Sequence, residues 1–244
     1  MEVKIAGRQK IRRGLILFSF FLFPATYLYF SPVEIIEASS NGIINGSFGV
    51  FCLLFLSSLS FGRGYCGWVC PGAGCQEAIF LAKEKRVTKG YLIKWFIWVS
   101  WIGAIIFVVT KAGGYRQVDF LYQTMHGFSI ASLKGLITYL VILLVLIALP
   151  AFVFGRRSFC HHLCWMAPFM IIGRAIKNIC KWPALRLFAR KEKCLHCYKC
   201  TENCPMSLPV KEMVSANKME RTECILCGVC ADVCPKKAIT LNFG

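Results

Sequence analysis

The sequence predicts an α-helical membrane protein with a small α+β domain at its C-terminal end. Three observations predict it. Hydrophobic residues make up 57% of the 244-residue chain and charged residues 17%, against roughly 25% charged in soluble domains, and mean hydropathy is +0.57. Four uncharged apolar stretches lie before residue 156. Eight of the fifteen cysteines are crowded into the chain from Cys194 onward.

The apolar stretches are 14–31, 41–62, 91–110 and 135–155. A crossing helix needs about 20 residues, with a range of about 17–25, which the second and fourth match directly. The first carries Pro24, tolerated in membrane helices. In the third, Tyr91, Leu92 and Ile93 extend the run Trp95–Thr110, and Lys94 and Lys111 at its ends are expected to snorkel. The first stretch follows Lys4, Arg8, Lys10, Arg12 and Arg13, as a signal peptide would. Its apolar run exceeds the usual length of about 7–15 residues, so it reads as a retained anchor.

The formal net charge is +17, and its distribution says what it is for. Lys and Arg crowd the N-terminus, residues 63–94 (Arg63, Lys83, Lys85, Arg86, Lys89, Lys94) and residues 156–190. They are absent from 31–40 and sparse between Lys111 and Lys134. This is the positive-inside pattern for four spans with both termini cytoplasmic. It predicts a multi-pass protein of a prokaryotic cytoplasmic membrane, with the charge serving topology and anionic-lipid contact rather than nucleic acid.

The C-terminal cysteines form two copies of C-x2-C-x2-C-x3-C-P: Cys194, Cys197, Cys200, Cys204-Pro205, and Cys224, Cys227, Cys230, Cys234-Pro235. This is the bacterial run for [4Fe–4S] clusters, in which the fourth cysteine serves the other cluster. One cluster is thus assigned Cys194, Cys197, Cys200 and Cys234, and the other Cys204, Cys224, Cys227 and Cys230. Two structural zinc sites would need neither the third C-x2 step nor the Cys-Pro. Thiolates that hold iron call for a reducing compartment. Gly228 suits backbone close to a cluster. A helix is expected within Lys211–Met219 and a closing strand at Ile239–Phe243. The domain reading is a membrane domain 1–180, a basic interfacial linker 181–190 and a 2[4Fe–4S] ferredoxin-like domain 191–244.

The second and fourth stretches end alike. Phe61-Gly-Arg63 precedes Cys66 and Cys70, and Phe154-Gly-Arg156 precedes Cys160 and Cys164. Each half would then hold two spans and one C-x3-C at its cytoplasmic end, related by an axis along the membrane normal. If each pair sits on a helical turn, both sulfurs share a face. Three readings are open for these four cysteines: a further iron–sulfur cluster, redox-active thiol pairs, or packed thiols. Cys75 is a spare ligand in the first reading, and Cys52 and Cys180 read as packing residues. His161 and His162 read as metal ligands, proton carriers or interfacial side chains. His126 and His196 read as loop histidines.

Four spans with two C-x3-C motifs, among them Cys66-Gly-Trp-Val-Cys70-Pro71, and the two ferredoxin runs resemble the NapH/NosR/MauN-type membrane polyferredoxins over nearly the whole chain. The family usually has Pro after each C-x3-C, whereas Trp165 follows Cys164. The resemblance implies a membrane electron-transfer subunit of an oxidoreductase complex, exchanging electrons with quinol or quinone and a partner redox protein, a cytochrome or a flavoprotein. Longer members carry an extracytoplasmic flavin domain, which would here be a separate subunit. No general acid–base or nucleophile constellation is visible in the sequence. The rival expectations are electron delivery across the membrane to an extracytoplasmic flavin or haem partner, and a redox-sensing or maturation factor.

Overall fold

A computed structural model describes residues 7–80, 85–87, 92–130 and 132–244. Lys4, Lys83, Lys89 and Tyr91 of the sequence reading lie outside them. The membrane part begins with α1 (Gly7–Thr26), which tightens after Pro24 into a 3-10 turn, Tyr27–Phe30. Ser31, expected to open a loop, instead caps α2 (Pro32–Ser40). Its hydroxyl accepts the Glu34 N–H, and Pro32 takes the first-turn position that needs no donor. Asn45 caps α3 (Gly46–Phe61) by accepting the Phe48 N–H at 3.1 Å. There follow α4 (Gly64–Trp68), α5 (Pro71–Phe80) and α6 (Ile93–Ala112). The next run comprises α7 (Leu133–Val141), a π-helical segment (Ile142–Ala148) and α8 (Leu149–Phe154). Pro150 lacks an N–H and crowds the preceding turn, and the wider π turns just before it accommodate that gap. The membrane part ends with α9 (Ser158–His162) and α10 (Ala167–Cys180).

Three helical runs are long and apolar enough to cross a membrane: Gly7–Ser40, Ile93–Ala112 and Leu133–Phe154. Their outer faces carry exposed Phe18, Phe21, Phe96, Phe107, Leu144 and Val145, side chains suited to lipid and not to water. Within the expected stretch 41–62, the helix α3 has 16 residues. At 1.5 Å per residue it reaches about 24 Å, short of the roughly 30 Å hydrocarbon layer. Helices α3, α6 and α10 are joined by Phe51, Trp101 and Phe169, whose ring centroids lie 5.2–5.8 Å apart. On the opposite end of the bundle from the tail, β1 (Ile43–Asn45) and β2 (Gln117–Asp119) pair in parallel.

The tail is built on an antiparallel pair, β3 (Leu185–Ala189) with β4 (Ile239–Phe243), in register from Leu185↔Phe243 to Ala189↔Ile239. The closing strand lies where the sequence places it. Its partner β3 occupies the segment read as an interfacial linker, 181–190, because alternate residues such as Leu187 pack into the tail's core. The helix expected within Lys211–Met219 is α12 (Val210–Ser215), following the short α11 (Lys199–Glu202) and preceding α13 (Val229–Asp232).

Ion pairs, the Glu223 set buried and the others partly exposed, lock the tail to the membrane part. Glu223 bonds Arg63 at 2.9 Å and Lys94 at 2.5 Å, and both basic side chains are fully buried. Lys94 therefore does not snorkel; the acid of the tail captures it. Asp232 pairs with Arg8 at 2.6 Å, and Glu220 with Arg174. Trp68 and Trp182 donate across the same boundary to the Leu226 and Leu59 carbonyls. Burial alone would raise the Glu223 pKa, but Arg63 and Lys94 outweigh it and hold the carboxyl below its ordinary value. A depressed carboxylate stabilises the fold fully above its unfolded pKa and loses that contribution as pH falls through the folded value. Docking should thus persist at neutral pH and fail on acidification below the ordinary carboxylate range, read as new protease cleavage between the two parts. Glu223→Ala would leave two buried cations without their acid, at a cost of about 3–5 kcal/mol. It should produce the same cleavage already at pH 7.

Candidate functional site

The two tail runs fold into matching loops. The residue before the second cysteine and the residue after it are left-handed in both: His196 (φ 53) and Tyr198 (φ 58), and Leu226 (φ 49) and Gly228 (φ 74). After each Cys-Pro comes a third such residue, Ser207 (φ 53) or Lys237 (φ 51), whose N–H donates to the cysteine carbonyl three residues back. Left-handed residues set among right-handed ones turn successive N–H groups into a concavity that favours an anion.

Each concavity gathers four cysteines. One small cavity is lined by Cys194, Cys197, Cys200 and Cys234. A second is lined by Cys204, Cys224, Cys227 and Cys230 with Met206, Leu208 and Ile225. Among the described residues no three His, Cys, Asp or Glu side chains converge where a single metal ion could sit. The cysteines instead surround a space, which fits a polynuclear cluster better than a zinc ion bound by sulfurs about 2.3 Å away. The two sites differ in access. Cys197 is exposed, whereas all four cysteines of the second cavity are buried.

The membrane cysteines are also brought together. Helix α3 ends at Gly62 (φ 55) and α8 at Gly155 (φ 109). A Cβ on Gly155 would lie 2.3 Å from the Lys85 carbonyl oxygen. Each chain then turns through a five-residue helix holding the first cysteine, Cys66 or Cys160. The second cysteine lies just beyond that helix, so the pair does not share one helical face as the spacing predicts. The Cys70 and Cys164 N–H groups donate to Tyr65 and Phe159 carbonyls at the same 3.0 Å. All four thiols are buried, and Cys70 lies within electrostatic reach of Cys66, Cys160 and Cys164. Burial pushes the Cys66 and Cys70 thiols up, and Cys164 to about 12. Such thiols hold their protons at neutral pH unless a metal replaces them.

Cations and polar groups surround these thiols. Arg63 and Arg157 are buried. Arg63 Nη1 donates to Glu223 and to the Thr222 carbonyl, each at 2.9 Å, and the guanidinium also lies within hydrogen-bonding reach of the Cys66 thiol. Arg157 donates to the Cys66 carbonyl at 2.8 Å and to Glu77, which Arg12 also binds at 2.7 Å. Gln76 donates to Cys160 Sγ at 3.3 Å, and Cys66 Sγ touches Met170 Sδ at 3.4 Å. Four thiolates holding iron would carry negative charge into this site, and the two guanidiniums fit it. Spacing did not reveal Gln76, Arg157 or Met170. Nor did it single out the acids Glu77 and Glu223, whose partners come from distant segments.

The remaining candidates separate. Cys75 is buried near the first pair, whereas Cys52 and Cys180, read as packing residues, are exposed. His161 is fully buried, and burial pushes its pKa down to about 3, so it is a neutral core imidazole. His162 is hydrogen-bonded through Nδ1 to the Ser158 carbonyl. His196 is exposed, and His126 sits in the loop after β2 with φ 51.

The two cysteine sites touch through Gly67. A Cβ there would lie 2.4 Å from the Ile225 carbonyl oxygen and 3.3 Å from Cys227 Cα. The Cys224–Cys227 loop therefore rests on the backbone between Cys66 and Cys70. Gln9 and Arg174 hold the same loop by donating to the Cys227 and Cys224 carbonyls at 3.0 and 3.1 Å.

Comparison with known proteins bears on both sites. Residues 186–235 match a 4Fe-4S dicluster domain. A 4Fe-4S binding domain matches twice, over 46–89 and 136–178, each match taking in one C-x3-C pair. An uncharacterized protein of Methanocaldococcus jannaschii is 25% identical over 98% of this chain and 97% of its own length. YccM of Escherichia coli K12, named as a proposed electron transport protein, is 24% identical over 76% of this chain and 52% of its own. The pyruvate synthase subunit PorD of Thermotoga maritima is 37% identical over 25% of this chain and 62% of its own. No solved structure matches the chain. These matches support an iron–sulfur electron-transfer function, and the apolar helices are compatible with a membrane location.

Gly67→Ala should force the Cys224–Cys227 loop outward, since overpacking a close contact costs about 1–3 kcal/mol. We expect unchanged iron content but faster hydrogen exchange in that loop; unchanged exchange would show that the contact is loose.

Proposed function

We propose that the protein is a membrane-bound iron–sulfur electron-transfer subunit in which the tail and the membrane cysteines form one continuous path. The contact of Gly67 with the Ile225–Cys227 backbone carries this reading, because it leaves no intervening protein layer between the two cysteine sites. Cys194, Cys197, Cys200 and Cys234 would hold one [4Fe–4S] cluster, and Cys204, Cys224, Cys227 and Cys230 the other. Cys66, Cys70, Cys160 and Cys164 would hold a further iron–sulfur cluster. The two matches to a 4Fe-4S binding domain and the buried guanidiniums of Arg63 and Arg157 favour this over packed thiols. Bound clusters supply one-electron transfer without proton or bond changes. The chain's own residues exclude water from the second tail site and position its loop against the membrane.

The finer reading follows the resemblance to the NapH/NosR/MauN group. Helix α3, entered through Ile43–Asn45, completes a fourth crossing, the two C-x3-C units belong to repeated halves, and both termini face the cytoplasm. Electrons pass between a cytoplasmic redox partner and the membrane quinone pool or a partner subunit. The tail's working boundary lies at residue 185, where β3 begins, rather than at residue 191.

An iron and sulfide count on anaerobically purified protein tests the assignment. The tail should contribute about eight irons and the membrane site roughly two to four more. Replacing Cys66 and Cys160 together by Ser should remove only that excess. An unchanged count would eliminate the membrane cluster, and a count near zero in the unaltered protein would eliminate the whole reading.

A further inference from the structure

The tail's charges are sorted by the fold. From residue 191 onward the sequence holds eight basic and six acidic residues, close to balance. Three of those acids, Glu220, Glu223 and Asp232, turn inward onto arginines and a lysine of the membrane part. The basic residues turn outward: Lys191, Lys193, Lys199, Lys236 and Lys237 are exposed. The outer surface of the tail is therefore strongly cationic even though its composition is not.

This cationic surface surrounds the first cysteine site. Lys199, Lys211 and Lys236 line its cavity, and among the described residues no acidic one does. Lys211 Nζ stands 5.2 Å from the centre of the Tyr198 ring, which holds the ammonium at the rim. Between the lysines lie exposed Leu195 (58%) and Tyr198 (44%), beside the exposed Cys197. An apolar centre within a charged rim is the anatomy of a protein–protein interface. The second cavity, by contrast, is lined by no charged residue among those described, and its cysteines are buried. An external carrier therefore reaches the tail at short range across the lysine-rimmed face, while the other end of the path leads inward past Gly67.

We propose that this face is the docking surface for an acidic soluble one-electron carrier protein, of the ferredoxin or flavodoxin type. The inference rests on the assignment of Cys194, Cys197, Cys200 and Cys234 to a cluster, since it is that cluster's exposed edge that the partner would approach. Charge complementarity selects the partner: rim lysines attract an acidic carrier and repel a basic one, and such steering weakens with salt. In the exchange itself one electron leaves the carrier and one arrives at the tail, or the reverse, and no bond is made or broken.

The test uses the full chain in nanodiscs of neutral phosphatidylcholine and measures binding of an acidic soluble [2Fe–2S] ferredoxin. Affinity should fall at least tenfold between 50 and 200 mM salt, for a rim that contributes several charge contacts. The triple variant Lys199→Glu, Lys211→Glu, Lys236→Glu should lose at least tenfold in affinity at low salt. Lys218→Glu, which does not line the cavity, should bind as the unaltered protein does. Iron content is measured on every sample: eight tail irons with salt-independent binding, or with binding unaffected by the triple variant, overturns the docking surface and leaves the cluster assignment standing. Absence of tail iron overturns the assignment beneath it. Equal or tighter binding of a basic carrier also overturns the proposal. So does a triple variant that loses only its attachment to phosphatidylglycerol vesicles, which would make the membrane surface the occupant.

Discussion

The arrangement depends on one buried carboxylate. Glu223, adjacent to the first cysteine of the second run, is held by Arg63 just past α3 and by Lys94 at the start of α6. Two cations and an acid removed from water are tolerated only when each finds its partner. Their pairing fixes where the Cys224–Cys227 loop sits relative to the membrane helices. The neighbouring contacts, Arg174 to Cys224, Gln9 to Cys227 and Trp68 to Leu226, all lie on the same loop. A loop held this firmly can keep two cysteine sites in van der Waals contact through a single glycine.

The membrane cysteines owe their character to that docking. Thiols buried among Tyr65, Met170 and Phe159 would on their own stay protonated, because low polarity opposes the thiolate. Arg63 and Arg157 offset part of that effect at Cys66, where burial still keeps the thiol above its ordinary value. Both are buried beside the thiols, and each shares its acid with another cation, Lys94 or Arg12. The tail therefore does more than bring four cysteines to each of two cavities. Its Glu223 keeps a guanidinium in place next to the membrane thiols, within hydrogen-bonding reach of Cys66.

Much of this was legible in the sequence. The cysteine spacing named two four-cysteine sets, and the same sets line the two cavities. The apolar runs appear as helices, and Ile239–Phe243 as a strand. Other features were not legible because they arise between distant segments. Ser31–Ser40 reads as a loop for its lack of strong apolarity, yet Ser31 and Pro32 start a helix there. Residues 185–189 read as linker because a strand is recognisable as such only beside its partner, Ile239–Phe243, more than fifty residues later. Lys94 reads as a snorkelling end residue because its acid comes from the tail.

By itself the sequence determined the chemistry: which residue types are present, their spacing along short loops, and which runs prefer lipid to water. These are local properties, set by the reach of a few residues and by transfer free energies. Tertiary structure alone decided the rest. It placed Gly67 against Cys227, turned three acids of a nearly neutral tail inward and left its lysines outside, and set Arg63 and Arg157 beside the buried thiols. These depend on contacts between segments from 46 (Arg174 to Glu220) to 224 (Arg8 to Asp232) residues apart, where Coulomb attraction and close packing act through space and leave no periodic trace in the chain.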